Sequence, residues 1–423
     1  MDGDFAKALD GKRPGTALHA PQVRIVTDKG EPLTVDGNPI SPDIVSSVVT
    51  LPASGTAVVD IVLNNQRNDK SNPNRPATPS WRYNALKEVS FGKVFRVDYR
   101  YGQEPWTPMI LARITGVDFS FPSAAGAQVT LKGEDFSSLL KVKPQEPMIY
   151  MEDHETFIVN SEVSDGAPDL KMAPLPASPF NETISLTRPT DKTRLQFIAE
   201  LSERMDFETF VAFNDDTPIK ATGAVERSVA FHFDPARSET LGTVVTLVWG
   251  RDLIDFKPAF NVWDIPTQAT ASGNVPRDRG AIDETVTYDA DKSLVVNDLH
   301  TAPQGKAPMD AVNARNEFFQ ARPAVNPINI KVENLDSERA RRAAVAAMRK
   351  GIRAFLTAEL STLGLTTIRP RLHVDLIGLY APFDGIWYVT QTVHTLNASG
   401  YVTKVSLRRT GMLDPSGYPG GGA

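Results

Sequence analysis

Short β-type segments dominate the first third of the hydrophobic pattern. Residues 91–102, FGKVFRVDYRYG, alternate between apolar and polar positions, which is typical of a half-buried strand. Runs of β-branched and aromatic residues at 46–65 and 109–140 are broken by Gly, Ser and Asn turn residues, and they predict further strands. We therefore predict a first β domain over 21–145, preceded by a small, polar N-terminal arm at 1–20.

The next part of the chain predicts a different kind of structure. Pro, Asp and Ser are frequent from 142 to 190, as in a connector. The segment 188–213, RPTDKTRLQFIAELSERMDFETFVAF, starts with a Thr/Asp cap and continues with apolar residues at helical spacing. It changes to β character at Phe207. We predict a linker and a small α/β domain over 146–240.

Strand-like runs return after residue 240 and form a second predicted β domain over 241–411. A helical insertion at 309–363 interrupts it, and its strongest segment, 332–360, has Asp336 or Ser337 as a cap. Residues 412–423 are rich in Gly and Pro and are predicted to be a flexible tail. The predicted fold class is mainly β with α+β parts.

The final segment of the second domain predicts a β-hairpin. Asn397 to Gly400 supplies the turn. Apolar residues occupy one face, and these are Trp387, Val389 and Val393 on the first strand and Tyr401, Thr403, Val405 and Leu407 on the second. The opposite face is more polar, with Tyr388, Thr392, His394, Lys404, Ser406 and Arg408. Such a strand pair needs a closed barrel or a partner to cover its edges.

Composition narrows the class of protein. The 423 residues exceed one small core, and a net charge of −6 argues against a dedicated nucleic-acid binder. No run is apolar enough for a membrane span or a secretory signal. Because the chain has no cysteine, disulfides, thiolate metal sites and cysteine nucleophiles are excluded.

No motif indicates catalysis or a cofactor. The chain has no GxGxxG, no GxSxG and no HExxH, so nucleotide binding, serine hydrolysis and zinc peptidase chemistry lack support. We interpret MEDHE at 151–155 as a solvated loop, and His394 as a hydrogen-bonding rather than a metal-ligating or proton-transferring residue. The arginines of the 332–360 helix could bind phosphate or an acidic partner, but we favour a solvated face. No catalytic, cofactor or metal residue is therefore predicted.

Four segments resemble, in order, the phage late control D family of baseplate hub proteins, which is related to the amino-terminal part of type VI secretion valine-glycine-repeat spike proteins. They are VTLKGEDFSSLL (129–140), RPTDKTRLQFIAELSERMDFETFV (188–211), LVWGRDLIDFKPAF (247–260) and FDGIWYVTQTVHTLNASGYVTKVSLRR (383–409). The positions that carry the likeness are Gly133, Asp135, Phe136, Leu139, Gly250, Phe383, Asp384, Gly385, Val393, His394, Gly400 and Tyr401.

The resemblance implies that both β domains are similar β-barrels, and that three chains form a pseudo-sixfold ring. Such a ring adapts a hexameric tail tube to a trimeric central spike. The implied partners are two further copies of the chain, a tail tube protein, a spike protein and other baseplate (wedge) proteins, with DNA only in transit. Because the chain ends soon after Arg409, we expect a separate spike protein.

The implied location is a virion baseplate or an injection particle that is assembled in the host cytoplasm. The alternatives are a tail-associated peptidoglycan hydrolase, which needs a carboxylate pair in a cleft, and a carbohydrate-binding adhesin, which needs exposed aromatic side chains on one face.

Overall fold

A computed structural model provides the coordinates of the protein. It describes residues 20–67, 80–87, 89–123, 126–214, 217–218, 225–226, 228–236, 243–261, 263, 265–274, 280–287, 326–331, 336–380 and 382–409. Residues 1–19 of the predicted arm at 1–20 and the predicted tail at 412–423 lie outside the described residues, as does most of the first half of the predicted helical insertion.

The amino-terminal part of the chain is built from strands. They are β1 (Pro21–Val26), β2 (Thr34–Val35), β3 (Asn38–Pro39), β4 (Ile44–Pro52), β5 (Val58–Asn64), β6 (Gln66–Arg67), β7 (Ser80–Trp81), β8 (Val94–Tyr101), β9 (Thr107–Ser120) and β10 (Gln128–Glu134). Short 3₁₀ turns lie at Ser41–Asp43 and Phe136–Lys141.

The middle of the chain mixes two helices with short strands. The helices are α1 (Glu155–Gly166) and α2 (Arg194–Met205). The strands are β11 (Met148–Asp153), β12 (Lys171–Met172), β13 (Ile184–Arg188), β14 (Phe207–Phe213), β15 (Thr217–Pro218), β16 (Val225–Glu226) and β17 (Val229–Pro235). The helix and the following strand that were expected at 188–213 are confirmed, and Thr193 and Gln196 form a reciprocal capping box at the start of α2.

The carboxyl-terminal part contains nine described strands and one helix, α3 (Ser337–Arg353). The strands are β18 (Val244–Val248), β19 (Leu253–Phe260), β20 (Gln268–Asn274), β21 (Ala281–Thr287), β22 (Pro327–Lys331), β23 (Leu356–Leu363), β24 (His373–Ile377), β25 (Gly385–Asn397) and β26 (Gly400–Arg409). Asp336 caps α3 as expected, since its carboxylate accepts a hydrogen bond from the Arg339 N–H at 2.8 Å.

Twelve strands form one continuous sheet with two comparable halves. The first β unit pairs in the order β1-β8-β9-β10-β5-β4, and the second in the order β18-β24-β25-β26-β23-β19. When the strands of each unit are numbered along the chain, both units have the order 1-4-5-6-3-2. They differ at one end, where β1 pairs antiparallel with β8 but β18 pairs parallel with β24.

The β-bulges repeat as well as the strand order. Thr115 is the extra residue between β9 and β10, and Thr390 is the extra residue between β25 and β26. Each threonine hydroxyl donates to the carbonyl opposite the next residue, Lys132 at 3.5 Å and Ser406 at 3.0 Å. Bulges are structural features that fix register and twist, so their repetition at equivalent positions supports a duplicated unit.

A second pair of bulges lies at the other side of each unit. Val45 is the extra residue of β4 opposite β5, and Ile254 is the extra residue of β19 opposite β23.

The strands and helices described above confirm the predicted class, which is mainly β with a small helical part. Closure of each unit into a barrel stays a prediction, as do the domain boundaries.

Three hydrophobic cores correspond to these parts. One lies within the first β unit around Ile61, Phe95 and Tyr99, and one lies within the second unit around Trp387 and α3. The third fills the α/β part between α1, α2 and β17.

The structure corrects the extent of the predicted helical insertion. The helix ends at Arg353, and Leu356–Leu363 is strand β23, not helix. Its residues LTAELSTL bury every second side chain, so burial against the sheet outweighs the helix preference of Leu, Ala and Glu.

Candidate functional site: the strand junction between the two β units

The predicted hairpin at 383–409 forms the connection between the two β units of the sheet. Its strands are β25 and β26, with the turn at the expected position. The first half of β25 pairs with β24 of the second unit, over Gly385 to Tyr388. Its second half pairs antiparallel with β4 of the first unit, over Gln391 to Leu396. Strand β25 therefore belongs to both β units.

The bulge at Thr390 corrects the predicted faces of this hairpin. An extra residue shifts the alternation of side chains by one. Gly385 to Val389 are all buried before the bulge, whereas only even positions are buried after it. Trp387 and Val389 are buried before the bulge, whereas Thr392 and His394 are fully buried after it. Val393, which was expected on the packed face, is only half-buried. The more polar face of this strand is therefore not a solvent face.

At the hairpin tip, an aromatic and polar cluster attaches β25 and β26 to the first unit. The His394 Nδ1 lies 2.8 Å from the Tyr401 hydroxyl. The Tyr401 ring packs edge-on against Tyr99, with ring centroids 5.1 Å apart, and Tyr101 donates from its hydroxyl to the Gly364 carbonyl at 2.8 Å. Tyr401 thus belongs to the core of the first unit although it lies on a strand of the second.

Burial sets the protonation states in this cluster. Desolvation holds the pKa of His394 well below its usual range, and the nearby charge of Arg369 acts in the same direction. Desolvation also raises the pKa of Tyr101, to about 12, and raises that of Tyr401 further. The cluster is therefore neutral at physiological pH, and its role in the structure is packing and hydrogen bonding.

The base of the hairpin is fixed within the second unit. Phe383 packs edge-on against Phe256, and Gly385 adopts a φ of 101°, which a side chain would strain. The Asp384 carboxylate accepts from the Leu379 N–H at 2.7 Å, and its carbonyl accepts from Arg409 at 2.9 Å.

Another group of family-like residues lies where the first unit leads into the α/β part. The buried Asp135 caps the 3₁₀ turn by accepting from the Ser137 N–H at 2.9 Å, and it also accepts from the Ala57 N–H at 2.7 Å. Desolvation raises the pKa of Asp135 to about 6. A Cβ on Gly133 would lie 2.7 Å from the Phe95 ring, so close packing explains the glycine. Phe136 is buried in the α/β core, and Leu139 packs against that core.

The family-like residues therefore occupy separate places along the junction. Those of the hairpin tip are brought together with the first unit, those of the hairpin base lie in the second unit, and the Asp135 group lies near α2. Gly250 lies apart in the turn between β18 and β19, with a φ of 80°. Gly400 lies in the hairpin turn with a φ of 122°. Their shared role in stabilising the hub fold remains a proposal.

Helix α3 docks on the α/β part through its arginines, which corrects the expected solvated face. Arg353 and Arg349 both pair with Asp206, at the end of α2, and the Arg349 contact is 2.9 Å. Arg339 pairs with Glu155 at 2.5 Å, and both side chains are buried. The acidic partner of this helix is thus within the same chain.

The segment MEDHE at 151–155 is not a solvated loop, because its Glu155 is buried in the pair with Arg339. Its first three residues end strand β11, and its Glu155 begins helix α1. The sequence separates Glu155 from Arg339 by 184 positions, so no local pattern could have indicated the pair.

Sequence reasoning also missed a contact between the hairpin and the α/β part. The Tyr388 hydroxyl lies 2.8 and 2.7 Å from the two carboxylate oxygens of the buried Glu208. Desolvation raises the pKa of Glu208, and the Arg408 charge opposes this shift. The hairpin therefore contacts all three parts of the chain.

The described residues show neither a metal-binding cluster nor a membrane-spanning helix. Within the described parts of the chain, no group of three or more His, Cys, Asp or Glu residues is arranged to hold a metal ion. The described helices include none long and apolar enough to cross a membrane.

Comparison with known proteins identifies the fold. No family model matches the chain, and no curated protein sequence matches it. Among solved structures, the 43 kDa tail protein of prophage MuSo2 from Shewanella oneidensis is 13% identical and has a TM-score of 0.58, covering 92% of this chain and 99% of its own. A tail protein from Neisseria meningitidis is also 13% identical with a TM-score of 0.58, covering 95% of this chain and 99% of its own.

These two alignments extend over nearly the whole chain, so the likeness concerns the complete arrangement of β units and α/β part. The tail-protein fold expected from the resemblance is confirmed.

Proposed function

We propose that the protein is a non-enzymatic baseplate hub of a contractile phage tail or a phage-like injection particle. Three copies form a ring that docks on a tail tube on one side and carries a spike on the other. Other baseplate proteins surround the ring, and the particle is assembled in the host cytoplasm.

The repeated β unit is the observation that carries this proposal. One chain contains two six-strand units with the same strand order and with bulges at equivalent positions. Three such chains supply six similar units, which is the number needed to match a sixfold tube while the ring keeps the threefold symmetry of a spike. The shared fold with two tail proteins supports the same role.

The alternatives gain less support from the described residues. A cleft of about 320 Å³ lies between the first unit and the α/β part, and Asp135 is the one carboxylate among its described lining residues. That carboxylate is engaged by two backbone N–H groups. Exposed aromatic side chains, which an adhesin requires, include Phe119 and Phe260. Both lie at strand edges, where they have another explanation, given below.

Light scattering coupled to size-exclusion chromatography, with end-on electron microscopy of the purified protein, tests the proposal. We expect three times the chain mass and a six-lobed ring with a central channel. A monomer at every concentration, or a ring without six similar lobes, would contradict it.

A further inference from the structure

Two of the strand edges that lack a partner within the described part of the chain belong to β9 and β19. Strand β8 covers β9 only as far as Arg113, so the outer edge of β9 beyond the Thr115 bulge is unpaired. Strand β19 ends the sheet and pairs only with β23. Unpaired strand edges are places where a further strand can add by hydrogen bonding.

The internal repeat indicates what should occupy these edges. In the repeat, β9 corresponds to β25 and β19 corresponds to β4. The second half of β25 pairs with β4, and this pairing joins the two units of one chain. The equivalent contact would pair the second half of β9 with β19, but six strands separate these two in the sheet of one chain, and they do not pair there. The equivalent contact is therefore one between two copies.

We propose that the outer edge of β9 in one copy pairs antiparallel with the outer edge of β19 in the next copy. This inference rests on the proposed trimer and adds the residues that join its subunits. Repetition of the same contact three times closes a ring in which every junction, within or between chains, has the same form.

The bulges define the register of this contact. In the internal junction, Val393 lies three residues after the Thr390 bulge, and it faces Thr50, five residues after the Val45 bulge. Counting three residues from Thr115 and five from Ile254 gives Asp118 and Ala259 as the equivalent pair between copies.

The neighbouring pairs follow from antiparallel geometry. They are Val117 with Phe260, Phe119 with Pro258, and Ser120 with Lys257, each in a different copy.

The exposure of side chains on the open edges of β9 and β19 agrees with the proposal. Two side chains that the internal junction buries have exposed counterparts. His394 is fully buried, but its counterpart Phe119 is 37% exposed. Leu51 is 9% exposed, but its counterpart Phe260 is 45% exposed. Apolar side chains on an open strand edge are an aggregation risk for a monomer, whereas a partner strand would cover them.

Pro258 is compatible with this arrangement at the loss of one hydrogen bond. The Asn261 N–H donates to the Phe355 carbonyl, so odd positions of β19 direct their N–H to β23 and even positions direct it outward. Pro258 therefore lacks an N–H on the open edge and leaves the β23 ladder intact, as expected of proline in an edge strand. The Phe119 carbonyl then has no donor opposite it, while its N–H can still donate to the Pro258 carbonyl.

The absence of cysteine makes this register directly testable by disulfide formation. Asp118 and Ala259 would form a pair without mutual backbone hydrogen bonds, with Cα atoms about 4.5 Å apart, which is within the range of a disulfide. Both side chains are exposed, so their replacement should not prevent folding. The purified double variant Asp118→Cys/Ala259→Cys is oxidised with copper phenanthroline and separated without reductant in denaturing gels.

We expect covalent dimers and trimers that reductant reverses. Four variants serve as controls. Thr50→Cys/Val393→Cys, the equivalent internal pair, should link within one chain and keep the monomer mass. The two single-cysteine variants and the out-of-register variant Asp118→Cys/Asp255→Cys, displaced by about 13 Å, should remain unlinked.

The outcomes separate this inference from the proposed function. A trimer in light scattering whose Asp118→Cys/Ala259→Cys variant links no better than the controls would overturn the strand pairing and leave the hub proposal standing. Efficient linkage of Asp118→Cys alone would indicate a symmetric β9–β9 contact and would also overturn the pairing. A monomer under all conditions would overturn both.

Discussion

Replacement of Gly364 by alanine tests the packing at the hairpin tip. A Cβ at this position would lie 2.0 Å from the Tyr401 Cγ, whereas ordinary contact begins at 3.4 Å. The Tyr401 ring would have to retreat by about 1.4 Å, but Tyr99 packs against it and its hydroxyl lies at hydrogen-bond distance from His394. Overpacking costs about 1–3 kcal/mol, and a lost hydrogen bond costs about 1 kcal/mol more.

We therefore expect Gly364→Ala to lower the free energy of unfolding by about 3 kcal/mol, measured by urea denaturation followed by tryptophan fluorescence. Gly280→Ala is the matched control, because no atom lies within 4 Å of its added Cβ. It should change stability by less than about 0.5 kcal/mol.

A double-mutant cycle identifies the contact. Tyr401→Ala should itself cost about 3–5 kcal/mol, and Gly364→Ala added to it should cost less than about 1 kcal/mol. The reasoning fails if Gly364→Ala is as stable as the unchanged protein, or if its cost is the same with and without the Tyr401 ring.

Two further predictions concern charges. Asp206→Asn removes a carboxylate that pairs with both Arg349 and Arg353, and it should lower the free energy of unfolding by about 3–5 kcal/mol. Glu203→Gln, which breaks the exposed pair with Lys350, should cost less than about 1 kcal/mol. Equal effects of the two variants in urea denaturation would refute the buried cluster. Burial, with Asp384 nearby, raises the pKa of Asp375 to about 6. Because this carboxyl binds its proton more tightly when folded, its contribution to stability is present below about pH 4 and declines by roughly 1–3 kcal/mol as the pH rises through 6. Asp375→Asn should remove that part of the decline in urea titrations at pH 4.5 and 7.5, and an unchanged pH profile would contradict the assignment.

Local signals predicted several elements correctly. The capping residues and helical spacing at 193–205 predicted α2, because a capping box and an amphipathic stripe are properties of adjacent residues. The turn at Asn397 to Gly400 predicted the hairpin for the same reason. Helix α3 was found from its cap, but its carboxyl end was placed too late, because Leu, Ala and Glu favour helix in isolation and strand β23 is decided by burial.

Other features depend on contacts that no window of sequence contains. The Thr390 bulge shifts the alternation of side chains along β25, and nothing in TQTVHT marks the extra residue. The Arg339–Glu155 and Arg353–Asp206 pairs join segments more than 140 positions apart. Arginines with helical spacing therefore suggested a solvated face, although the fold supplies carboxylates for them. The resemblance located the junction residues, but their separate positions became clear only in three dimensions.

Strand β25 has a mechanical consequence. One half of β25 is hydrogen-bonded to β24 of the second β unit, and the other half is hydrogen-bonded to β4 of the first. The angle between the β units is therefore set by a continuous polypeptide backbone and its extra residue, Thr390. No hinge is available at this point, and bending one unit relative to the other would require breaking the ladder to β4 or to β24. The two β units should therefore move as one rigid body.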